Sequence, residues 1–155
     1  MIRPFTYQAL PMRVVFGPGS LADLPDEVDR LGLERVLVLC SPEQEATGKQ
    51  VAAALGDRAA GVLPEARMHV PIEVATRARD LAAKLGADGC VAVGGGSAIG
   101  LGKAIALEHG LPIIAVPTTY AGSEMTPVWG LTEGAPSAPA ATSGCCRGAC
   151  STTPR

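Results

Sequence analysis

Two stretches carry residue types able to do chemistry. The first, DGCVAVGGGSAIGLGKAIAL at residues 88–107, places Gly94, Gly95, Gly96 and Ser97 directly after an apolar run. From Ser97 onward the stretch reads as a helix. Amide N–H groups at a helix start carry partial positive charge, and the absence of side chains lets an anion approach them. The chemistry on offer is phosphate binding. A tight strand-to-helix turn with no ligand is the alternative, and the local sequence leaves both open. The second stretch, PTTYAGSEMTPVWGLTE at residues 117–133, is dense in hydroxyls and small side chains.

Two familiar phosphate loops are absent. The pattern G-x-G-x-x-G, begun at Gly94, meets Ile99 at its sixth position. A Walker loop ending at Gly102-Lys103 would need glycine where Ser97 stands and a hydroxyl where Ala104 stands.

The elements that must position these stretches alternate along the chain. Residues 35–40, 90–93 and 112–116 are short apolar runs and predict buried strands, with a weaker strand signal over 61–70. Helices are predicted over 43–55, 71–85 and 97–108, the second with Pro71 at its first position and Gly86 after its end. An earlier helix comes after the turn GPGS at 17–20. Ser20 is its expected N-cap, Asp23 lies in its first turn, Leu21, Leu24, Val28 and Leu31 recur at helical spacing, and Gly32 is its stop. Residues 7–16 read as extended, with a hairpin around Pro11. Strand and helix alternating at this spacing predict an α/β fold, a Rossmann-like parallel sheet with flanking helices. Neighbouring parallel strands end on one side, so both stretches should line one crevice at the carboxyl edge.

Composition bounds the rest. The 155-residue chain is long enough for one cored domain, and its net charge of -2 gives no reason to expect nucleic acid. No apolar run is long enough to span a bilayer, and the N-terminus lacks a secretory pattern, so a cytoplasmic setting is expected. Cys40 and Cys90 lie in apolar runs and read as buried small hydrophobes. Cys145, Cys146 and Cys150 have no partner cluster, His69 and His109 lack ligand spacing, and no metal site is expected. Past Glu133 periodicity vanishes. Residues 1–134 therefore read as the folded domain and 135–155 as a disordered tail.

Jointly, GGGSAIGLGKAIAL and VPTTYAGSEMTPVWGLTE resemble the nucleotide-binding half of the iron-containing alcohol dehydrogenase superfamily. FGPGS, VLCSPEQ, MHVP and TYAGSEMTPVWG fit its maleylacetate reductase branch, and the likeness covers residues 7–134. The resemblance implies an oxidoreductase using NADH or NADPH to reduce maleylacetate, or substituted maleylacetates, to 3-oxoadipate in aromatic compound catabolism. It implies that Gly95, Gly96 and Ser97 cradle the cofactor pyrophosphate. Thr118 and Thr119 would flank the nicotinamide side, Ser123 would add a hydroxyl, and Ser41 would sit by the adenosine ribose. Many relatives carry Asp near that last position; Cys40-Ser41-Pro42 stands here, and a neutral hydroxyl repels no 2′-phosphate, so both cofactors should be accepted. The loop G-T-G-S-E of the wider family reads A-G-S-E from Ala121, and Gly100 replaces a common Asp.

The superfamily's C-terminal helical domain supplies catalytic residues and any metal ligands. Nothing in the sequence corresponds to it, so the catalytic residues are unknown. A full-length homodimer is implied, and this chain is expected to be incomplete and inactive. A shifted reading frame near Gly134 permits a continuation containing R-V-L-P-R and Y-D-P, so the tail is expected to be out of frame. Two other readings remain: a fragment of an iron-containing alcohol dehydrogenase acting on a carbonyl or alcohol, and a non-catalytic nucleotide-binding fragment.

Overall fold

A computed structural model describes residues 12–132 and two further stretches of backbone, Ala140–Ala141 and Ala149–Thr152. Three apolar runs form the centre of the sheet: β2 (Val36–Leu39), β4 (Gly89–Gly94) and β5 (Ile113–Pro117), buried along their whole length. Successive strand residues face opposite sides. Val36, Val38, Val91, Val93, Ile114 and Val116 pack on one face against Leu24 and Val28 of α1 (Leu24–Arg30) and Val51 and Leu55 of α2 (Glu45–Leu55). Leu37, Leu39 and Cys90 face the other side. There they meet Val74, Ala75, Ala78 and Ala82 of α3 (Ile72–Leu85) and Leu101 and Ile105 of α4 (Gly96–His109). The result is the expected parallel sheet between two helical layers.

With β1 (Arg13–Phe16), β3 (Ala59–Leu63) and β8 (Ala149–Thr152) added, the strand order is β1-β8-β5-β4-β2-β3. Every pairing in this sheet is parallel. From β2 the chain steps outward to β3, then crosses back to place β4 on the opposite flank of β2. The direction of winding thus reverses between β2 and β4, and crevices for ligands form at the carboxyl ends beside such a reversal.

Three sequence expectations need correction. The weak strand over 61–70 is β3, which starts at Ala59 and stops at Leu63. Pro64 has no N–H to continue the ladder, and the chain then turns through His69 (φ 62) and Val70 (φ 41). Ser20 is no N-cap. It opens a 3-10 turn, Ser20–Asp23, and α1 begins only at Leu24, where Pro25 fits the first turn. In the tail, two stretches predicted to be structureless run as strands. β8 lies between β1 and β5, and β7 (Ala140–Ala141) pairs antiparallel with β6 (Val128–Trp129). Open sheet edges offer main-chain donors and acceptors that need no large side chain to pair. The remaining tail residues, and the hairpin around Pro11, lie outside the described residues.

Glu27 ties β1 to α1. Its buried carboxylate accepts from Arg13 Nε at 2.9 Å and from Arg30 Nε at 2.8 Å. Burial pushes the carboxyl pKa up, but the hydrogen bonds from Arg30 and Arg13 outweigh it and leave the group below its ordinary value. A lowered carboxylate pKa stabilises the fold above the unfolded-state pKa, and that contribution is lost as pH falls through the folded one. Both arginines are largely exposed, so the contribution is about 1 kcal/mol or less. Glu27→Gln should therefore melt below the wild type at neutral pH, and the gap should close as pH falls below the ordinary carboxylate range. Melting curves recorded by circular dichroism across that range check it; a gap that stays constant would refute the assignment.

Candidate functional site

The glycine turn sits where β4 hands over to α4. Gly94 ends the strand at φ 143, Gly95 is the extended N-cap residue, and the helix starts at Gly96. No side chain caps this helix start, and its first turn holds no acidic residue. The first helical amides therefore face outward from the carboxyl edge with no side chain of their own to satisfy them. Gly95, Gly96 and Ser97 are half-buried, so the turn is reachable.

Three further segments gather around it. Thr118 donates its backbone N–H to Gly94 O at 3.0 Å, which fastens the chain after β5 to the end of β4. Thr119 stands so close to the turn that a Cβ on Gly95 would lie 2.8 Å from its Oγ1. Ala121 lies over Gly96, its Cβ 3.7 Å from where that residue's Cβ would be. Ser41 comes after β2 on the other side of the winding reversal and opens the 3-10 turn Pro42–Gln44. Its hydroxyl, beside the exposed Glu43 carboxyl, holds that group below its ordinary pKa. The structure thus brings Ser41, Gly95, Gly96, Ser97, Thr118 and Thr119 to one edge of the sheet, between and beside β2, β4 and β5.

Ser123 is engaged elsewhere. Its backbone oxygen and Oγ accept from Lys103 Nζ at 2.6 and 3.1 Å, and the same ammonium reaches Val128 O at 2.7 Å. Lys103 is 1% exposed and so is no solvated helix residue. The ammonium instead clamps the loop after β5 onto α4. One turn to either side on this face, Ile99 and Ala106 belong to one apolar cluster.

Gln44 was not singled out by sequence at all. Its Nε2 donates to Thr118 Oγ1 at 2.9 Å, across 74 positions of chain. No local pattern announces such a contact. Tyr120 is 73% exposed, whereas Trp129 packs against the cluster around Ile99 and Ala106. Glu124 Oε2 and Trp129 Nε1 are buried and have no hydrogen-bond partner among the described residues. Cys40 and Cys90 are fully buried. Burial pushes both thiols up, with Glu45 adding to the effect at Cys40, and Cys90 reaches about 12. Neither is a nucleophile at neutral pH. Among the described residues, no three His, Cys, Asp or Glu side chains form a group able to hold a metal.

An uncapped helix start, edged by hydroxyls at a winding reversal, suits a phosphate-bearing ligand. The family model for iron-containing alcohol dehydrogenases matches residues 11–141. A maleylacetate reductase of Burkholderia cepacia is 60% identical over 129 residues, 83% of this chain and 37% of that protein. Maleylacetate reductase 2 of Cupriavidus pinatubonensis is 54% identical over 131 residues, 84% of this chain and 36% of that protein. The crystal structure of maleylacetate reductase from Agrobacterium tumefaciens superposes with a TM-score of 0.92 at 45% identity, covering 98% of this chain and 43% of that one. The chain thus spans little more than a third of the length of these curated relatives. On the family match and the shared fold, it belongs to the iron-containing alcohol dehydrogenase family.

Proposed function

We propose that residues 1–134 are the dinucleotide-binding unit of an NAD(P)H-dependent oxidoreductase of the maleylacetate reductase type. The single observation carrying this reading is the bare helix start after Gly94, set at the β2/β4 reversal of a chain 60% identical to a maleylacetate reductase. When bound, the reduced nicotinamide would supply a hydride to the 2,3 double bond of maleylacetate, and a proton from an acid or water would complete its reduction to 3-oxoadipate.

The residues of this chain bind and orient. Main-chain amides at the start of α4 would take the pyrophosphate, and the half-buried position of Gly96 and Ser97 leaves them reachable. Thr118 and Thr119 are exposed hydroxyls at the end of β5 and would line the path toward the nicotinamide. Ser123, gripped by Lys103, would act by holding its loop against α4, with its remaining hydroxyl proton available to a ligand. At the ribose corner Ser41 is neutral. Glu43 beside it is fully exposed, so water and salt screen its charge and NADPH is not barred. The family's name implies iron, but the described residues do not fit it, and no step is assigned to metal. A homodimer and a cytoplasmic setting are part of the same proposal.

NADH binding is measurable through energy transfer from Trp129, the one tryptophan of the chain. The wild type should show saturable transfer. Gly95→Val, whose Cβ would press on Thr119 Oγ1, should weaken binding by roughly tenfold or more, the scale of one lost set of charge-assisted contacts. Absence of saturable binding by the wild type with either NADH or NADPH would end the proposal.

Ser41→Asp tests the ribose corner separately. The new carboxylate should leave NADH affinity within a few-fold and lower NADPH affinity by about tenfold or more through like-charge repulsion. Competition titrations with the two cofactors read the ratio, and an unchanged ratio would remove Ser41 from the site.

A further inference from the structure

The Gln44 carboxamide lies at the carboxyl ends of β4 and β5. It is reached from the turn after β2, where Gln44 N donates to Ser41 O at 3.0 Å. Its Oε1 covers the end of β4 so closely that a Cβ on Gly94 would lie 2.5 Å from it, and its Nε2 donates to Thr118 Oγ1 at 2.9 Å on the chain leaving β5. One side chain therefore spans all three strand ends that border the winding reversal. The direction of the Thr118 bond has a chemical consequence. A hydroxyl that accepts from an amide keeps its own proton for another partner. Thr118 is exposed, so that partner comes from the solvent side, where the glycine turn also presents its amides.

We propose that Gln44 is a positioning residue for the nucleotide. By donating to Thr118 it turns the threonine hydroxyl into an outward donor for an anionic oxygen, and by being neutral it keeps negative charge away from the phosphate side of the crevice. The proposal rests on the dinucleotide reading above and adds a residue and a hydrogen-bond polarity to it. Gln44→Glu is nearly isosteric but reverses both properties. Its carboxylate accepts the Thr118 proton and places a negative charge beside the amides that would hold the pyrophosphate.

The test measures NADH affinity of the whole chain by Trp129 energy transfer for the wild type, Gln44→Glu and Gln44→Met. At about pH 8 Gln44→Glu should bind at least about tenfold more weakly than wild type. Its affinity should recover toward wild type as pH falls toward about 5, because a carboxyl beside an anion titrates above its ordinary range. Gln44→Met, which keeps the bulk but neither donates nor carries charge, should lose about threefold to tenfold with no such pH dependence. If Gln44→Glu melts well below wild type, Gln44→Met decides alone. Binding by the decisive variant within twofold of wild type overturns the role of Gln44 while leaving the dinucleotide reading intact. A wild type that binds no NADH overturns both.

Discussion

A side chain at position 94 is disfavoured by the backbone itself, and the rest of the site depends on the glycine there. The backbone has φ 143, a region closed to L residues with a Cβ, and Gln44 Oε1 and Ala98 Cβ crowd the space beside it. The sharp reversal of direction after β4 is what aims the start of α4 at the carboxyl edge. Were the strand to end less abruptly, the helix amides would point into the sheet's own loops. The parallel pairing of Gly94 with Pro117 then delivers the threonines of the next loop to the same place.

Holding that loop calls for an unusual device. A buried ammonium is costly unless its donors are matched, and Lys103 meets two main-chain carbonyls and a hydroxyl within 3.1 Å. The penalty of desolvation is thereby tied to the loop's position: moving residues 123–128 away would take three acceptors from a buried ammonium. A second restraint acts from the opposite side. Thr132 donates its backbone N–H to Val70 O and its hydroxyl to His69 O, and Ile72 N returns a bond to Thr132 O. These bonds hold His69 and Val70 in left-handed backbone conformations that a β-branched residue rarely adopts. The segment after β5 is thus braced by α4 on one flank and by the start of α3 on the other.

Much of the sheet was legible because its strands are continuous apolar runs and its helices end at glycines, signals that depend only on neighbouring residues. The glycine turn was legible for the same reason: residues 94–97 are contiguous. Helix α4 was a harder case. It is buried on nearly all sides, so the periodic contrast that marks a surface helix is absent, and no pattern singles out Lys103 as buried. Gln44 and the Ser123–Lys103 grip were invisible because each joins segments distant in the chain. The end of β3 was misjudged because alternating side chains persist past Pro64 while the hydrogen-bonding ladder does not. In the tail, β8 pairs through main-chain groups, about which composition is silent.

The winding reversal has a kinetic side. Strands β2 and β4 are joined in register from Val36↔Gly89, and Arg35 N meets Asp88 Oδ1 across 53 positions of chain. Closing so long a loop costs entropy before any of its contacts form, and this slows assembly of parallel sheets. A half-assembled chain with α1, α2, β2 and β3 in place still possesses no crevice whatever. On the dinucleotide reading proposed above, a ligand in the crevice would bind only chains in which β2, β4 and β5 are joined, and by mass action it would protect that species.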